Sequence, residues 1–398
     1  MRYLTGGESH GPCLTAIVEG MPAGLNLSSG YINRQLHRRQ QGYGRGGRMK
    51  LESDQVNFLS GLRFGQTTGS PLSLQIVNRD ADNWKQTMAA EGEPGPEVKA
   101  VNSPRPGHAD YAGGIKYGRH DLRDVLERSS ARETAIRVAV GSVARCLLEE
   151  MNIHVYSHVI SIGNAGASEC FCNSQANDNN EESDSKIKIN DPEVYSHVEN
   201  SPLRCINPQD EEKMKEEIDS AREKGDTVGG VWEIMVTGVP VGLGSHVQSD
   251  RKLDGMLAGA LMSLQGVKGV EIGWGFQAAK NPGSQVHDPF NFDPDTGEVS
   301  RPTNRAGGIE GGISNGQPLI IKVAMKPIPT LLNPLPSIDL ATGQESLAAV
   351  ERSDVCAVPA ASVVSEAIVA WELAVAMREK FGGDSMEEML HNYKSRRV

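Results

Sequence analysis

The sequence predicts an α+β fold with helices packed on sheets. Along its 398 residues, stretches with helical spacing of apolar side chains alternate with short strand-like runs, and a helix-then-strand order occurs twice. Glycine-rich loops separate these elements, and 44 glycines stand well above an average of roughly 7%. The length accommodates two or three ordinary domains or one large interlocked unit, and 38% hydrophobic with 23% charged residues is the balance of a globular protein.

Ser29 to Gln41 places Ile32 and Leu36 at helical spacing and stops at Gly42, which predicts a short helix followed by a glycine loop. Leu72 to Val77 reads as a strand. Ser130-Ala131-Arg132-Glu133 has the capping-box form, so a long helix is expected from Ser130 to about Glu150, with the strand His154 to Ile162 after it. The stretch 165–190, rich in Asn, Ser, Glu and Asp, reads as an acidic surface insertion. Pro208 to Lys224 predicts a charged, exposed helix ending at Gly225. Val231 to Val239 is a strand candidate. Ser249 to Gln265 carries Leu253, Leu257, Leu261 and Leu264 in an apolar stripe and leads into the strand-like Gly269 to Phe276. Leu319 to Met325 is the last strand candidate, and a final helix starts at Pro359 and ends before Gly382-Gly383.

Met1 to Gly7 turns to glycine at once and no run of about 18 consecutive apolar residues occurs, so neither a secretory leader nor a membrane span is expected and the protein reads as cytoplasmic. Cys13, Cys146, Cys170, Cys172, Cys205 and Cys356 include no C-x-x-C pair, so no metal site or disulfide framework is suggested. A net charge of −11 argues against nucleic acid as the main partner. Against that background, the run between Glu19 and Glu52 has no acid at all and carries Arg34, Arg38, Arg39, Arg45, Arg48 and Lys50. Such segregation predicts a binding field for a small, multiply anionic, phosphorylated substrate.

Two well-known patterns match in form only. Gly42 to Gly47 fits G-x-G-x-x-G, but the polar His37 to Gln41 precedes it where a dinucleotide fold needs an apolar strand. Gly7-Glu8-Ser9-His10-Gly11 fits G-x-S-x-G, yet a nucleophile elbow must follow a buried strand deep within a sheet. What remains is Ser9 and His10 bracketed by glycines that let a ligand approach the backbone. His10 suits a general acid or a donor to an anion, with a plain turn as the alternative. Arg105-Pro106-Gly107-His108-Ala109-Asp110 repeats the theme, with Asp110 as a helix cap in the plainer reading. Arg128-Ser129-Ser130 lies at the mouth of the long helix, where backbone N–H groups and the positive dipole end attract anions, and Arg132 adds a cation. Lys326-Pro327-Ile328-Pro329-Thr330 is a proline-stiffened loop offering one ammonium and one hydroxyl, or merely a rigid exit from a sheet. Arg352-Ser353-Asp354 joins an anion clamp to a carboxylate, or forms a capping salt bridge. The competing class is single-stranded nucleic-acid binding through 38–48, since Tyr43 to Arg48 resembles an RGG segment, though it occurs once in an acidic chain.

Taken together and in this order, the motifs resemble the chorismate synthase family from Met1 to about Lys380. Five stretches carry the resemblance: Gly7 to Gly11, Arg38 to Gly46, Arg105 to Asp110, Glu127 to Thr134, and Arg352 to Asp354. The resemblance implies one domain over 1–398, a β–α–β sandwich with helices on antiparallel sheets, and a homotetramer; 165–190 is poorly matched. It implies a 1,4-anti elimination of phosphate from 5-enolpyruvylshikimate 3-phosphate, giving chorismate, with reduced FMN and no net redox change. Either NADPH reduces the enzyme's own flavin or an external reductase does. No nucleic acid or membrane partner is implied. Substrate contacts would come from Ser9, Arg39, Arg45, Arg48, Arg105, Arg132 and Arg352. By the family pattern His10 would assist the phosphate's departure, His108 would protonate or stabilise the reduced flavin near N1, and Asp354 would help relay the C6 proton through flavin N5. Flavin contacts would map to Arg128, Ser129, Ser130, Gln265, Gly266, Gly311, Arg352 and the loop Lys326, Pro327, Ile328, Pro329 and Thr330. Gly266 stands where relatives commonly carry alanine.

Overall fold

Two antiparallel sheets enclose a layer of helices in the computed structural model, which describes residues 1–46, 53–166, 192–297 and 299–395. The N-terminal sheet has the strand order Arg2–Gly6, Cys13–Glu19, Leu72–Val77, Val56–Ser60. Leu14, Ala16 and Val18 are buried, as are Leu72, Leu74 and Ile76, so a period of two turns one face of the sheet inward. The second sheet runs Val267–Ile272, Leu319–Met325, Gly230–Thr237, His154–Ile162, Ala165–Gly166, with every pairing antiparallel.

Helices Ser29–Gln40 and Thr134–Glu149 lie against the N-terminal sheet, while Leu253–Met262 and Val358–Phe381 lie against the second. This is the sandwich that the resemblance implied. Val358–Phe381 is long and apolar enough to cross a membrane, yet 89% of its most apolar window is buried inside the protein. Its even apolarity reflects neighbours on every side. Thr134–Glu149 packs on it through Gly141, where a Cβ would stand 2.3 Å from the Ala367 carbonyl oxygen, so only glycine allows this approach. Forcing a methyl in would cost about 1–3 kcal/mol.

Strands Leu72–Val77, His154–Ile162 and Leu319–Met325 occupy the residues predicted for them. The capping box is replaced by other bonds. A 3₁₀ turn, Ala131–Glu133, precedes the α-helix; Ser130 Oγ accepts from the Arg132 N–H, but Glu133 reaches Thr5 and Gln265. The helix expected from Ser249 is divided into a 3₁₀ turn, Ser249–Arg251, and Leu253–Met262, and the strand after it ends at Ile272. Pro208–Glu223 is not exposed all round, because Met214 and Ile218 are buried. Strands Arg2–Gly6, Cys13–Glu19 and Val56–Ser60 and helices Asp110–Tyr117, Arg123–Ser129, Pro192–Asn200 and Met386–Ser395 escape the sequence reading. Apart from Ala165–Gly166, the 165–190 stretch lies outside the described residues.

Candidate active site

Turns of the N-terminal sheet, the first residues of helices Thr134–Glu149 and Val358–Phe381, and the edge of the second sheet converge on a cavity of about 510 Å³. That volume lies within the roughly 300–1,000 Å³ of small-molecule sites. Ser9 and His10 occupy the turn between the first two strands. Gly7 is needed there: its φ is +104°, and a Cβ would stand 2.3 Å from the Cys13 carbonyl oxygen. A strand follows this turn where a nucleophile elbow requires a helix. The turn is fastened by Asn78, whose Nδ2 donates to the carbonyls of Glu8 at 3.1 Å and Gly11 at 2.7 Å. The same amide's Oδ1 accepts from Arg132 Nε at 3.0 Å and its NH2 at 2.8 Å, so one side chain joins the His10 turn to an arginine.

Arg39, on the last turn of its helix, is buried and donates to Thr134 Oγ1 at 2.9 Å and to the Ala131 carbonyl at 3.2 Å. Asp54 lies between two guanidinium groups, 2.6 Å from Arg132 and 3.5 Å from Arg39. Arg45 pairs with Asp354 at 2.7 Å, and the Gly46 N–H donates to the same carboxylate at 2.6 Å. Among the described residues, Arg39, Arg45, Arg105, Arg132, Lys326 and Arg352 line the cavity against two carboxylates, Glu351 and Asp354. The imbalance shows at Arg39. Burial, with Arg132 and Arg45 nearby, outweighs Asp54 and holds its guanidinium down at about 10. It is still charged at neutral pH, in surroundings that an added anion would relieve.

The two histidines are each anchored by a carboxylate. His10 Nδ1 lies 2.8 Å from Glu127 Oε1, and its ring stacks on Trp84 with 4.0 Å between centroids. His108 Nδ1 lies 2.5 Å from Asp110 Oδ1, while Arg105 Nε reaches Oδ2 of the same group at 2.8 Å. Asp110 is therefore not a helix cap but a buried anchor for both. Burial raises its carboxyl, yet His108 and Arg105 together hold it well below the ordinary range. Glu127 is likewise lowered, because His10 and Arg123 outweigh its burial. Arg105 also donates to Thr330 Oγ1 at 2.8 Å and Lys326 Nζ to the Gly107 carbonyl, so two loops distant in sequence form one wall.

A family model described as chorismate synthase matches residues 1–377. The chain is 59% identical over 389 residues to the chorismate synthase of Desulforamulus reducens, covering 98% of this chain and 96% of that one. It is 52% identical over 398 residues to that of Aquifex aeolicus, covering 99% and 96%. A crystal structure of chorismate synthase matches with a TM-score of 0.76 and 43% identity over 99% of this chain and 96% of that one. The chain belongs to the chorismate synthase family. Its activity is that of a phosphate-eliminating lyase of the shikimate pathway, which converts 5-enolpyruvylshikimate 3-phosphate to chorismate in a family that uses reduced FMN.

Most of the residues expected from the chorismate synthase pattern do meet at this cavity. Its wall holds Ser9, His10, Arg39, Arg45, Arg105 and His108 from the first part of the chain, then Ser129, Ser130 and Arg132. Gln265, Gly266, Lys326 to Thr330, Arg352 and Asp354 complete it. Arg128 turns away, donating to the carbonyls of Gly7 at 3.0 Å and Thr5 at 3.1 Å. Gly311 sits in the turn between Ile309–Glu310 and Ile313–Ser314 and does not line the cavity. Arg48 lies outside the described residues.

The arginine-rich run does not act as one field. Arg38 leaves the site for an ion pair with Glu366 at 2.7 Å, and Arg34 is exposed. Asp54, Asn78 and Trp84 are members outside every motif, and Glu127 opens one of the matching stretches without a role assigned to it there. Of the first three, only Asn78 had a signal, since it continues the inward alternation of Leu72, Leu74 and Ile76.

Proposed function

We propose that the cavity holds 5-enolpyruvylshikimate 3-phosphate on Arg39, Arg45, Arg132 and Arg352, with His10 as the acid for the departing phosphate and Asp354 as the acceptor of the C6 proton. The observation that carries this reading is the surplus of cations around a space that also receives two carboxylate-anchored histidines. The substrate bears two carboxylates and a phosphate, and bidentate guanidinium contacts would both hold it and neutralise charge growing on the leaving group. As the C3–O bond breaks, its electron pair leaves with phosphate, and His10 supplies a proton to the phosphate oxygen. The C6–H pair moves through the ring double bond, and the proton ends on Asp354. Drawing Arg45 onto the substrate loosens its pair with Asp354 and readies that carboxylate.

The same cavity fits reduced FMN. Gln265 Oε1 is a buried acceptor with no hydrogen-bond partner among the described residues, beside an apolar surface from Leu264, Met325 and Ile328. Such an orphaned acceptor suits the N–H edge of a flat ring. When bound, reduced FMN supplies electron density that is returned at the end of the reaction. Lys326 and the Ser129–Ser130 turn would hold the cofactor, and His108 would donate to it and balance its charge. A nucleic-acid reading loses its support, because Arg39 and Arg45 face the cavity and Arg38 enters the core. NADPH as reductant, a homotetramer, and a cytoplasmic setting suited to the free thiols Cys13, Cys146, Cys205 and Cys356 are the remaining parts of the proposal.

An anaerobic assay of chorismate formation with pre-reduced FMN tests the core of this reading. No product from the intact protein would sink it. Turnover with oxidised FMN plus NADPH would establish an intrinsic reductase, and light scattering at four times the chain mass would establish the tetramer. His10→Ala and His108→Ala should each lower kcat by roughly 10²–10⁴. Wild-type turnover of both variants in saturating reduced FMN would remove their roles.

A further inference from the structure

We propose that Glu127 is the positioning residue that fixes the orientation and tautomer of His10; this rests on the reading of His10 as the acid at the departing phosphate. Glu127 is buried on helix Arg123–Ser129 and grips the His10 turn at three points. Its backbone carbonyl accepts from the Ser9 N–H at 3.0 Å, Oε2 accepts from the His10 N–H at 2.8 Å, and Oε1 meets His10 Nδ1 at 2.8 Å. An ionised carboxylate can only accept, so Nδ1 must carry a proton. Proton exchange with a ligand then falls to Nε2, at the other edge of the ring. Trp84 fixes the ring plane by stacking. Arg123 steadies the arrangement without displacing the histidine: it lies 3.2 Å from Glu127 Oε1 and 3.3 Å from Glu351, with its guanidinium 5.1 Å from the Trp84 ring centre. A carboxylate that holds a histidine in one tautomer is worth orders of magnitude in rate where the opposite edge of the ring does the chemistry.

Glu127→Gln keeps the size of the side chain but offers a single acceptor, so one of the two His10 donors meets an NH₂ group. With reduced FMN, kcat should fall by about ten- to a hundredfold, a part of the roughly 10²–10⁴ attributed to the acid itself. KM for 5-enolpyruvylshikimate 3-phosphate should stay within about twofold, because no substrate contact is removed. ¹⁵N spectra of histidine-labelled protein, with the His10 signals identified by their loss in His10→Ala, should leave the Nδ1–H pattern. Glu127→Asp should recover part of the lost kcat. Full kcat in Glu127→Gln beside an impaired His10→Ala, a raised KM with unchanged kcat, or an unchanged ¹⁵N pattern would each overturn the proposal. An unimpaired His10→Ala would instead overturn the role of His10, and the ¹⁵N pattern alone would then decide whether Glu127 sets its tautomer.

Discussion

Arg38 and Arg39 are neighbours in the chain and end in opposite kinds of environment. A helix turns about 100° per residue, so consecutive side chains leave it in different directions. Arg38 enters a closed network around Glu366, which receives five hydrogen bonds from Arg38, Arg145, Arg204 and Ser157. Glu199 adds a second carboxylate, 2.8 Å from Arg204, and Glu149 a third, 3.2 Å from Arg145. Burial raises the Glu366 carboxyl, but the three arginines hold it far below the ordinary range. Arg39 enters the cavity wall, where it shares the single carboxylate of Asp54 with Arg132 and its own charge is disfavoured. Arginine density therefore does not mark a site; the space each arginine faces does. Arg38 and its neighbours close on carboxylates in the interior, whereas Arg39 and Arg45 line an open cavity that a ligand can fill.

The largest expected effect comes from breaking the balanced cluster. Glu366→Ala leaves three buried guanidinium groups short of a partner, and removing one member of such a network costs about 3–5 kcal/mol. Thermal denaturation should show a correspondingly large fall in Tm, while kcat per folded molecule at low temperature stays near wild type. Lost turnover without lost stability would place this network in the catalytic machinery and erase the contrast. Arg39→Met should do the opposite. It removes a disfavoured charge together with bonds to Thr134 and Ala131 and the longer of the two ion pairs of Asp54, which keeps Arg132, so Tm should move little. Loss of one cation from the substrate wall should lower kcat/KM by about 10²–10³.

Acidification weakens both regions through carboxyls of one sign. A carboxyl whose folded value lies below its unfolded one contributes stability that is full above the unfolded value and is lost as pH falls. Glu366 has this sign, with an ordinary value of 4.5, so Tm should decline progressively as pH drops below about 4.5. Asp110 and Glu127 share the sign within the site. In Glu366→Gln the Tm measured against pH should be flatter; an unchanged slope would assign acid lability to the other carboxylates.

The sandwich was legible where a periodic face met a sheet or a helix. Leu72, Leu74 and Ile76 alternate cleanly, and their strand lies where that pattern predicts. Arg2–Gly6 and Cys13–Glu19 were not read, because the closely spaced glycines at 6, 7 and 11 look like loop and mask two short strands. The motifs located the cavity because His10, His108 and Arg45 sit in loops, and Arg39 at the helix end leading into one, whose composition is unusual by itself. Of the anchoring groups, Asp110 lies in the motif of its own histidine, but Asp54 is 78 residues from Arg132 and Glu127 is 117 from His10, so neither of those pairings is marked locally. Nor does any residue pattern announce a flavin. Gln265 becomes informative only when the fold buries its carbonyl oxygen at the cavity.

Arg34 supplies the smallest effect and the control for the comparison. It belongs to the same helix and the same acid-free run, four residues before Arg38, yet it is exposed. Its guanidinium lies 5.4 Å from the Tyr31 ring centre and 3.4 Å from the Gly30 carbonyl. Surface cation–π contacts contribute about 0.5–1 kcal/mol, and the like-charge neighbour at i+4 offsets a few tenths of that. Arg34→Ala should therefore leave Tm within about 1–2 °C and both kcat and KM at wild-type values. A raised KM with a flatter salt dependence would mean that the arginine run acts through its summed field after all, and that Arg39 and Arg45 differ from Arg34 only in degree.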